Sequence, residues 1–488
     1  MHDLTAYELN HLFQSEQVSA VEVTQYFLKR AKEANRQLGC YLVILEEQAL
    51  EKAHLLDKKK QLGQLVSDLA CIPYSVKDNI HIQGQKTTCA SQFLQNFYAP
   101  FTASCVKFLD QAGAICIGKT NLDECAMGSS TETSAFKATS NPWNVAYSPG
   151  GSSGGSAASL ASRSVLLSLG SDTGGSTRQP AAFNHLLGLK PSQGFFSRYG
   201  LCPLASSFDE ISPMTLSSLD MAILCNHLSQ TCTQDPFFKK RAQPLEKKDL
   251  EKPLTGKIIG VPWDFIKNVH PYVLKSFQQS LQIFQSLGVN IVSIDLKNLE
   301  YSLPIYQIMS CQEAFGHFAK FDGINSTTRS LSSTTTQEIY TMSRSEGFGK
   351  EVKQRLMLGA HILSLEKEKR YYQKAQKGRQ ILKKNFEEAF EDCHVIAMPT
   401  TASSAFKKGS IQDPLHMYLQ DLYTICANIT ELPALSIPMG FCQENLPLGL
   451  QLMAPKDHES TLLNFSHIFE KQTKFTHLIP ALFKSRFP

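Results

Sequence analysis

Apolar residues recur at helical spacing across residues 5–36. Within that segment, Thr5 with Glu8 and Ser19 with Glu22 match the capping box, in which two side chains satisfy free N–H groups at a helix N-terminus. The pattern therefore predicts two amphipathic helices in this part of the chain.

Short apolar runs further along the chain predict strands. The runs that we interpret as strands are 41–45, 71–76, 114–117, 165–169, 257–262, 394–399 and 434–439. Helical patterns separate several of them, and these lie over 46–60, 271–287 and much of 345–392. Strands that alternate with helices favour an α/β fold in which the sheet is buried on both faces.

Composition narrows the class of protein without changing this picture. Hydrophobic residues make up 42% and charged residues 19% of the 488 residues, as in a globular protein with a large core. The net charge of +4 is too small to favour nucleic-acid binding by bulk electrostatics. The 13 cysteines include no C-x-x-C pair, so we expect reduced thiols in the core and no metal. The N-terminus lacks the pattern of a signal peptide and no run of about 18 apolar residues exists, which favours a cytoplasmic protein.

Two segments are unusually rich in glycine and serine: 148–158, SPGGSSGGSAA, and 170–182, GSDTGGSTRQPAA. Glycines let backbone N–H groups approach a ligand closely, and consecutive N–H groups that face one way bind an anion. Such a concavity can stabilise the oxyanion of a tetrahedral intermediate. Serines in these segments are then candidate nucleophiles, which need a base to remove their proton.

Two other motifs compete with this interpretation. The segment 150–155, GGSSGG, matches G-x-S-x-G at Ser152 and at Ser153, but a nucleophile elbow follows an apolar strand and this segment follows a predicted loop. The segment 113–120, GAICIGKT, matches a phosphate-binding loop, but its middle residues have the pattern of a buried strand with Lys119 at its end. Neither motif has the context that its chemistry requires.

Lys77 is the candidate base. It follows the predicted strand 71–76, and burial lowers the pKa of a lysine because it disfavours the ammonium form. A neutral lysine can accept a proton from a serine hydroxyl. The residues alone leave an alternative open, in which Lys77 forms an ordinary ion pair with Asp78 or another carboxylate.

The sequence as a whole resembles the amidase-signature family. The resemblance rests on SVKDNI around Lys77 and on the two glycine- and serine-rich segments, and it runs through almost the whole chain. It implies an α/β amidase-signature fold, in which helices cover both faces of a large twisted mixed sheet. It also implies a triad in which Ser176 is the nucleophile, Ser152 is the proton relay after a cis peptide bond, and Lys77 is the base.

The oxyanion hole of the family corresponds to backbone N–H groups of this chain. The resemblance assigns them to Thr173, Gly174, Gly175 and Ser176. It also implies a single domain over 1–488, which we divide by sequence pattern. The divisions are an N-terminal helical region (1–65), a catalytic core (66–230), an exposed connection (231–256), a mostly helical substrate or partner region (257–392) and a C-terminal return to the sheet (393–488).

Within the family, several segments resemble the glutamine-hydrolysing subunits of tRNA-dependent amidotransferases. These segments are 118–136, 344–364, 413–424 and 446–453. The likeness implies free glutamine as the substrate, with its α-carboxylate on the planar guanidinium of Arg355 and its α-ammonium on Asp421. Residues 311–326 depart from the pattern, which leaves any role of Tyr306 open.

The same likeness implies a heterotrimer in which the B and C subunits of the amidotransferase accompany this chain. Ammonia from glutamine would pass to a partner protein, which uses ATP and Mg to amidate misacylated Glu-tRNA(Gln), Asp-tRNA(Asn) or both. This chain itself would hold no cofactor. The alternative activity is a stand-alone amidase for small or aryl carboxamides, and the alternative from another class is a catalytically inactive scaffold.

Overall fold

One mixed sheet of eleven strands organises the described part of the chain, which comprises residues 1–239, 244–325, 327–364 and 368–484 of a computed structural model. Residues 240–243 of the predicted exposed connection lie outside the described residues. So do residues 326 and 365–367 of the predicted helical region and residues 485–488 of the predicted C-terminal region.

The strands come from segments that are far apart in sequence. Their bounds are β1 Tyr41–Ile44, β2 Pro73–Lys77, β3 Ile115–Thr120, β4 Leu167–Asp172, β5 Leu187–Lys190, β6 Glu210–Thr215, β7 Ile258–Val261, β8 Asn290–Ser293, β9 Val395–Pro399, β10 Ala434–Phe441 and β11 Pro447–Met453. Neighbours in the sheet follow the order β1-β3-β2-β4-β6-β5-β10-β11-β9-β7-β8. β2 is parallel to β3 and β4, and β7 is parallel to β8 and β9, whereas the other neighbours are antiparallel. The predicted α/β fold class is confirmed.

Helices surround this sheet. The α-helices of the described residues are Ala6–Gln14, Ala20–Leu38, Glu46–Gln61, Ser104–Gln111, Gly154–Ala161, Arg178–Asn184, Ser218–Leu228, Lys247–Leu250, Trp263–Ile266, Pro271–Ser286, Ser302–Phe318, Thr336–Gly347, Lys350–Leu363, Gln373–Asp392, Pro414–Tyr418, Ile425–Ile429 and Glu459–Thr473. Shorter helical turns are Gln92–Leu94, Glu124–Ala126, Leu299–Tyr301, Glu368–Tyr372, Leu419–Asp421, Phe475–His477 and Ala481–Phe483. Within the described ranges, every helix is too short or too polar to span a lipid bilayer.

The two predicted N-terminal helices are confirmed, together with both capping boxes. The hydroxyls of Thr5 and Ser19 accept the N–H groups of Glu8 and Glu22, and the two glutamate carboxylates accept the N–H groups of the capping residues. Local sequence therefore specifies where these helices begin.

The hydrophobic pattern does not predict four strands of the sheet: β5, β6, β8 and β11. β5 and β6 are buried along their whole length, so no alternation marks them, and the edge strand β8 is only partly buried. β11 begins at Pro447 and contains Gly449, and both residue types are unfavourable within strands. These strands depend on their neighbours in the sheet more than on their own sequence.

The parallel pairing of β2 with β3 and β4 determines where the candidate chemistry lies. Carboxyl ends of parallel strands meet at one edge of a sheet. Lys77, Thr120 and Asp172 are the last residues of these three strands and therefore lie at the same edge. The helix Gly154–Ala161 packs against β2 and β4, and its small side chains allow a close approach to them.

We expect the centre of the sheet to be sensitive to lost volume. Leu450 in β11 is fully buried and faces a register partner on each side, so Leu450→Ala should destabilise the protein by about 2–5 kcal/mol. Leu65→Ala is the control, because that side chain is fully exposed and should change stability by less than about 0.5 kcal/mol. Urea unfolding followed by circular dichroism checks both values, and equal midpoints for the two variants would contradict the expectation.

Candidate active site

Lys77 lies within a ring of hydroxyl groups. Its Nζ donates to Ser152 Oγ at 2.8 Å, to Ser153 Oγ at 2.8 Å and to Ser171 Oγ at 2.9 Å, and the side chain is fully buried. Its partners among the described residues are thus hydroxyl and carbonyl groups. Burial lowers the pKa of Lys77 to about 7, although more distant carboxylates oppose the shift. An amine with that pKa is about half neutral at pH 7, and the neutral form can accept a proton.

The peptide bond between Gly151 and Ser152 is cis, as the family resemblance implies. The hydroxyls of both Ser152 and Ser153 face Lys77. Ser153 also donates to the carbonyl oxygen of Ser171 at 3.1 Å. Both serines of the G-x-S-x-G motif are therefore oriented toward a lysine, and residues 148–152 before the helix form a loop rather than the strand that a nucleophile elbow requires.

Asp78, the carboxylate that follows Lys77 in the sequence, forms an ion pair with a different lysine. Asp78 forms a buried ion pair with Lys119, in which Nζ and Oδ1 are 2.7 Å apart. Lys119 also donates to the Lys86 carbonyl at 2.6 Å and to Thr87 Oγ1 at 2.8 Å, and it lies within β3. Asp78 therefore pairs with Lys119 and not with Lys77, which was the alternative left open by the sequence. The position of Lys119 in β3 also confirms that the segment 113–120 contains a strand rather than a phosphate-binding loop.

Ser176 is the member of the predicted triad that reaches the surface of the site. It is 9% exposed, whereas Lys77 and Ser152 are completely buried. Its carbonyl oxygen accepts the N–H of Ser153 at 2.9 Å, which fixes the two serine-bearing loops against each other. In the described residues this backbone contact, rather than a bond between the hydroxyls of Ser152 and Ser176, connects the two loops. Catalytic hydrogen bonds are often loose before the substrate binds.

The glycine-rich turn after β4 presents backbone N–H groups beside Ser176. One of the four predicted donors is already engaged, because Gly175 N–H donates to Asp172 Oδ1 at 2.9 Å. Thr173, Gly174 and Ser176 are the donors that remain for an anion. Gly175 has φ +130°, and a Cβ there would lie 2.0 Å from Thr424 Oγ1, so both conformation and space require glycine.

Asp172 and Arg178 form a buried ion pair that stabilises this turn. The guanidinium donates to both carboxylate oxygens, at 2.9 and 3.1 Å, and both side chains are fully buried. The same carboxylate accepts the N–H of Thr177 at 3.2 Å and the amide of Asn428 at 2.9 Å. Burial alone would raise the pKa of Asp172, but the charge and hydrogen bonds of Arg178 hold it well below the usual range. The turn is therefore organised around a permanent carboxylate.

Of the predicted substrate residues, Arg355 lies in the helix Lys350–Leu363 and Asp421 in the helical turn Leu419–Asp421. Arg355 is buried, its Nε donates to Glu351 Oε1 at 2.8 Å, and its guanidinium stacks 5.2 Å from the centre of the Tyr418 ring. Burial opposes the charge on Arg355, but Glu351 raises its pKa and keeps it cationic. The Nε–H is thus engaged, and the Nη1 and Nη2 groups are the donors that can bind an anion.

Asp421 is half-buried, and its two carboxylate oxygens differ. Oδ2 accepts a hydrogen bond from Ser129, whereas Oδ1 is buried without a hydrogen-bond partner in the described residues. Burial raises the pKa of Asp421 to about 7, opposed by the Ser129 hydrogen bond and the charge of Arg355. An unsatisfied buried oxygen is suited to a ligand that donates, such as an ammonium group.

Tyr306 lies between these groups and the turn. Its ring rests against Gly174, where a Cβ would be 2.7 Å from the ring Cζ. The charges of Arg355 and Asp421 both act on its hydroxyl, whose pKa is raised by burial. The structure therefore brings Tyr306 into the same space as Arg355, Asp421 and Ser176.

Several residues of the site are not predicted from the sequence. Ser153, Ser171, Asp172, Arg178 and Asn428 touch the lysine or the turn, yet the motifs single out none of them for these contacts. The acidic and basic residues within GSDTGGSTR are the signal that could have indicated Asp172 and Arg178. Asn428 has no local signal, because it reaches the site from a distant helix.

The fold and the site together place this chain among the amidase-signature enzymes. The model of the Amidase family matches residues 22–463, so the chain belongs to that family.

The chain also matches individual relatives along nearly its whole length. The A subunit of glutamyl-tRNA(Gln) amidotransferase from Protochlamydia amoebophila is 44% identical over 484 residues, which cover 99% of each chain. The protein of the same name from Caldanaerobacter subterraneus is 43% identical over 477 residues, which cover 97% of each chain. The crystal structure of the corresponding A subunit from Thermotoga maritima superposes with a TM-score of 0.82 at 33% identity, covering 98% of this chain and 97% of that chain.

We expect the Asp172–Arg178 pair to be essential for the turn. Asp172→Asn leaves a buried guanidinium without its counter-charge and should destabilise the protein by about 3–5 kcal/mol in urea unfolding. The control is Glu388→Gln, which removes an exposed partner of Lys384 and should change stability by less than about 0.5 kcal/mol. Equal stability of Asp172→Asn and the wild-type chain would contradict the role given to this pair.

Proposed function

We propose that this chain is the glutaminase subunit of a tRNA-dependent amidotransferase, and that it hydrolyses glutamine to glutamate and ammonia. The proposal rests chiefly on one observation, a fully buried amine 2.8 Å from the hydroxyl of Ser152, beside the more exposed Ser176. The full-length likeness to proteins named as the A subunit of glutamyl-tRNA(Gln) amidotransferase supports the choice of substrate.

In the proposed reaction, Ser176 Oγ attacks the carbon of the glutamine side-chain amide. Its proton passes through the Ser152 hydroxyl to neutral Lys77. The N–H groups of Thr173, Gly174 and Ser176 hold the oxyanion, and loss of one such donor typically slows a reaction by about 10²–10³-fold. The relay then returns a proton to the leaving nitrogen, and ammonia departs. Water hydrolyses the remaining γ-glutamyl ester by the same route in reverse.

Free glutamine also carries two charges that a simple amide lacks. We propose that Arg355 binds its α-carboxylate and that Asp421 Oδ1 accepts a hydrogen bond from its α-ammonium. A bound ammonium would favour the ionised form of Asp421, whose pKa is raised by burial. Tyr306 closes the space between these two groups and the turn.

The remaining steps belong to partners. We propose a cytoplasmic heterotrimer in which the B and C subunits accompany this chain and the B subunit receives the ammonia. Amidation of Glu-tRNA(Gln), Asp-tRNA(Asn) or both would use ATP and Mg in a partner protein, and this chain needs no cofactor for amide hydrolysis. Co-expression with and without these partners, followed by assays on glutamine and simple amides, separates the proposal from a stand-alone amidase. Efficient turnover of simple amides by the isolated chain, with no glutaminase activity in the complex, would support the stand-alone amidase.

We expect a serine-reactive electrophile such as a small fluorophosphonate to label Ser176. Ser176→Ala should abolish labelling and lower glutaminase turnover by roughly 10⁴-fold or more, because the nucleophile is lost. Ser153→Ala should still be labelled, although more slowly, since Ser153 contacts the lysine but is not the proposed nucleophile. Peptide mass spectrometry identifies the modified residue. If Ser176→Ala were still labelled and Ser153→Ala were not, the nucleophile would be Ser153 instead.

We expect Arg355→Met to act on glutamine selectively. The KM for glutamine should rise by roughly 10–100-fold, because a charged hydrogen bond is lost, while turnover of a simple aliphatic amide should change little. Lys353→Met is the matched control, since this half-buried residue lies on the same helix and its ammonium donates to the Ser345 carbonyl at 3.1 Å. Steady-state kinetics on both substrates make the comparison, and an equal loss on both would contradict the carboxylate-binding role.

A further inference from the structure

A cavity of about 460 Å³ lies beside the triad, and the proposed reaction does not use it. The reactive side chains on its wall are His81, Cys89, Cys125 and Cys202. Asn79, also on the wall, connects the cavity to the triad because its amide donates to Ser171 Oγ at 3.0 Å, and that hydroxyl contacts Lys77. Three thiols and an imidazole therefore share one cavity close to the catalytic lysine.

Cys202 is the thiol with a basic partner. Its Sγ lies 3.3 Å from Nε2 of His81, and the residue is partly exposed. The rings of Phe97 and Phe101 pack on the imidazole, with centroids 5.8 and 5.1 Å away. The Nδ1 atom of His81 is buried without a hydrogen-bond partner in the described residues. The imidazole is thus held with Nε2 toward the sulfur, where it can take the thiol proton and stabilise the thiolate.

Cys89 supplies a second thiol next to the first. The neighbouring Cys202 thiol raises the pKa of Cys89, and Cys89 and His81 lower the pKa of Cys202. The backbone holds both residues, because Cys89 N–H donates to the Asp78 carbonyl at 3.3 Å and Cys202 N–H donates to the Asn79 carbonyl at 2.8 Å. Two consecutive carbonyl groups therefore anchor the pair of cysteines side by side.

The surrounding charges favour a thiolate on Cys202 rather than on the other two thiols. The charge of Lys119 lowers the pKa of Cys202, whereas Asp78 raises that of Cys89 and burial raises that of Cys125. Across the described residues, no group of His, Cys, Asp and Glu side chains is arranged to hold a metal ion. The cluster is therefore better suited to reactions of sulfur than to metal binding.

We infer that Cys202 and Cys89 form a dithiol site that reacts with hydroperoxides. The Cys202 thiolate attacks one peroxide oxygen, so that an S–O bond forms and the O–O bond breaks. The other oxygen leaves as hydroxide or alkoxide and is protonated to water or alcohol. Cys89 then attacks the sulfenic acid on Cys202, loses its proton and releases water to form the Cys89–Cys202 disulfide. The two thiols give up two electrons and the peroxide accepts them.

Mass spectrometry of the full chain tests this inference independently of amidase activity. The reduced protein is freed of reductant, treated with hydrogen peroxide and digested. We expect a disulfide that links the peptides of Cys89 and Cys202 and that dithiothreitol reverses. Cys89→Ser should stop at the sulfenic acid, which dimedone traps on Cys202. His81→Asn should slow that trapping by about tenfold, because less of the thiol is ionised.

Cys125→Ser is the matched control, since Cys125 lines the same cavity and burial and the charge of Glu124 raise the pKa of its thiol. It should leave the rate of disulfide formation unchanged. The inference is overturned if the wild-type chain yields no peptide that links Cys89 to Cys202. It is also overturned if, in Cys89→Ser, dimedone modifies Cys125 as fast as Cys202.

Discussion

The site depends on the buried amine of Lys77, whose hydrogen-bond partners in the described part of the chain are hydroxyl and carbonyl groups rather than carboxylates. Removing a charge from water is unfavourable unless a partner compensates for it. Around Lys77 the compensating groups are the hydroxyls of Ser152, Ser153 and Ser171, which can donate or accept and therefore suit either protonation state. A carboxylate in their place would fix the positive charge and remove the base. The proposed proton relay follows from this choice of neighbours.

Two carboxylates in the neighbourhood of Lys77 are paired with other cations. Lys119 neutralises Asp78, and Arg178 neutralises Asp172, each within the buried interior. These pairs therefore have two effects. They fix the ends of β3 and β4 and the glycine-rich turn, and they reduce the negative potential that would otherwise raise the pKa of the lysine. The architecture of the turn and the protonation state of Lys77 are thus linked.

Local signals in the sequence predict the features that depend on neighbouring residues. Lys77 at the end of a strand, the two glycine- and serine-rich turns and the N-terminal capping boxes all belong to this group. Other features depend on distant segments and have no such signal. Ser171 reaches Lys77 only because β2 and β4 are parallel neighbours in the sheet. The N–H of Gly175 is not available as one of the predicted oxyanion donors, because it donates to the Asp172 carboxylate. The fully buried strands β5 and β6 are missed for the same reason, since their partners specify them.

Titration of the Lys77 amine by nitrogen-15 NMR measures the protonation state on which the mechanism depends. Comparison with Lys77→Arg identifies the resonance. Because burial lowers the pKa of this amine, we expect a midpoint near pH 7, with the charged form below it and the proton-accepting neutral form increasing as the pH rises through it. A midpoint near the ordinary lysine value of 10.5 would show a permanent ammonium at working pH and would contradict the proposed base.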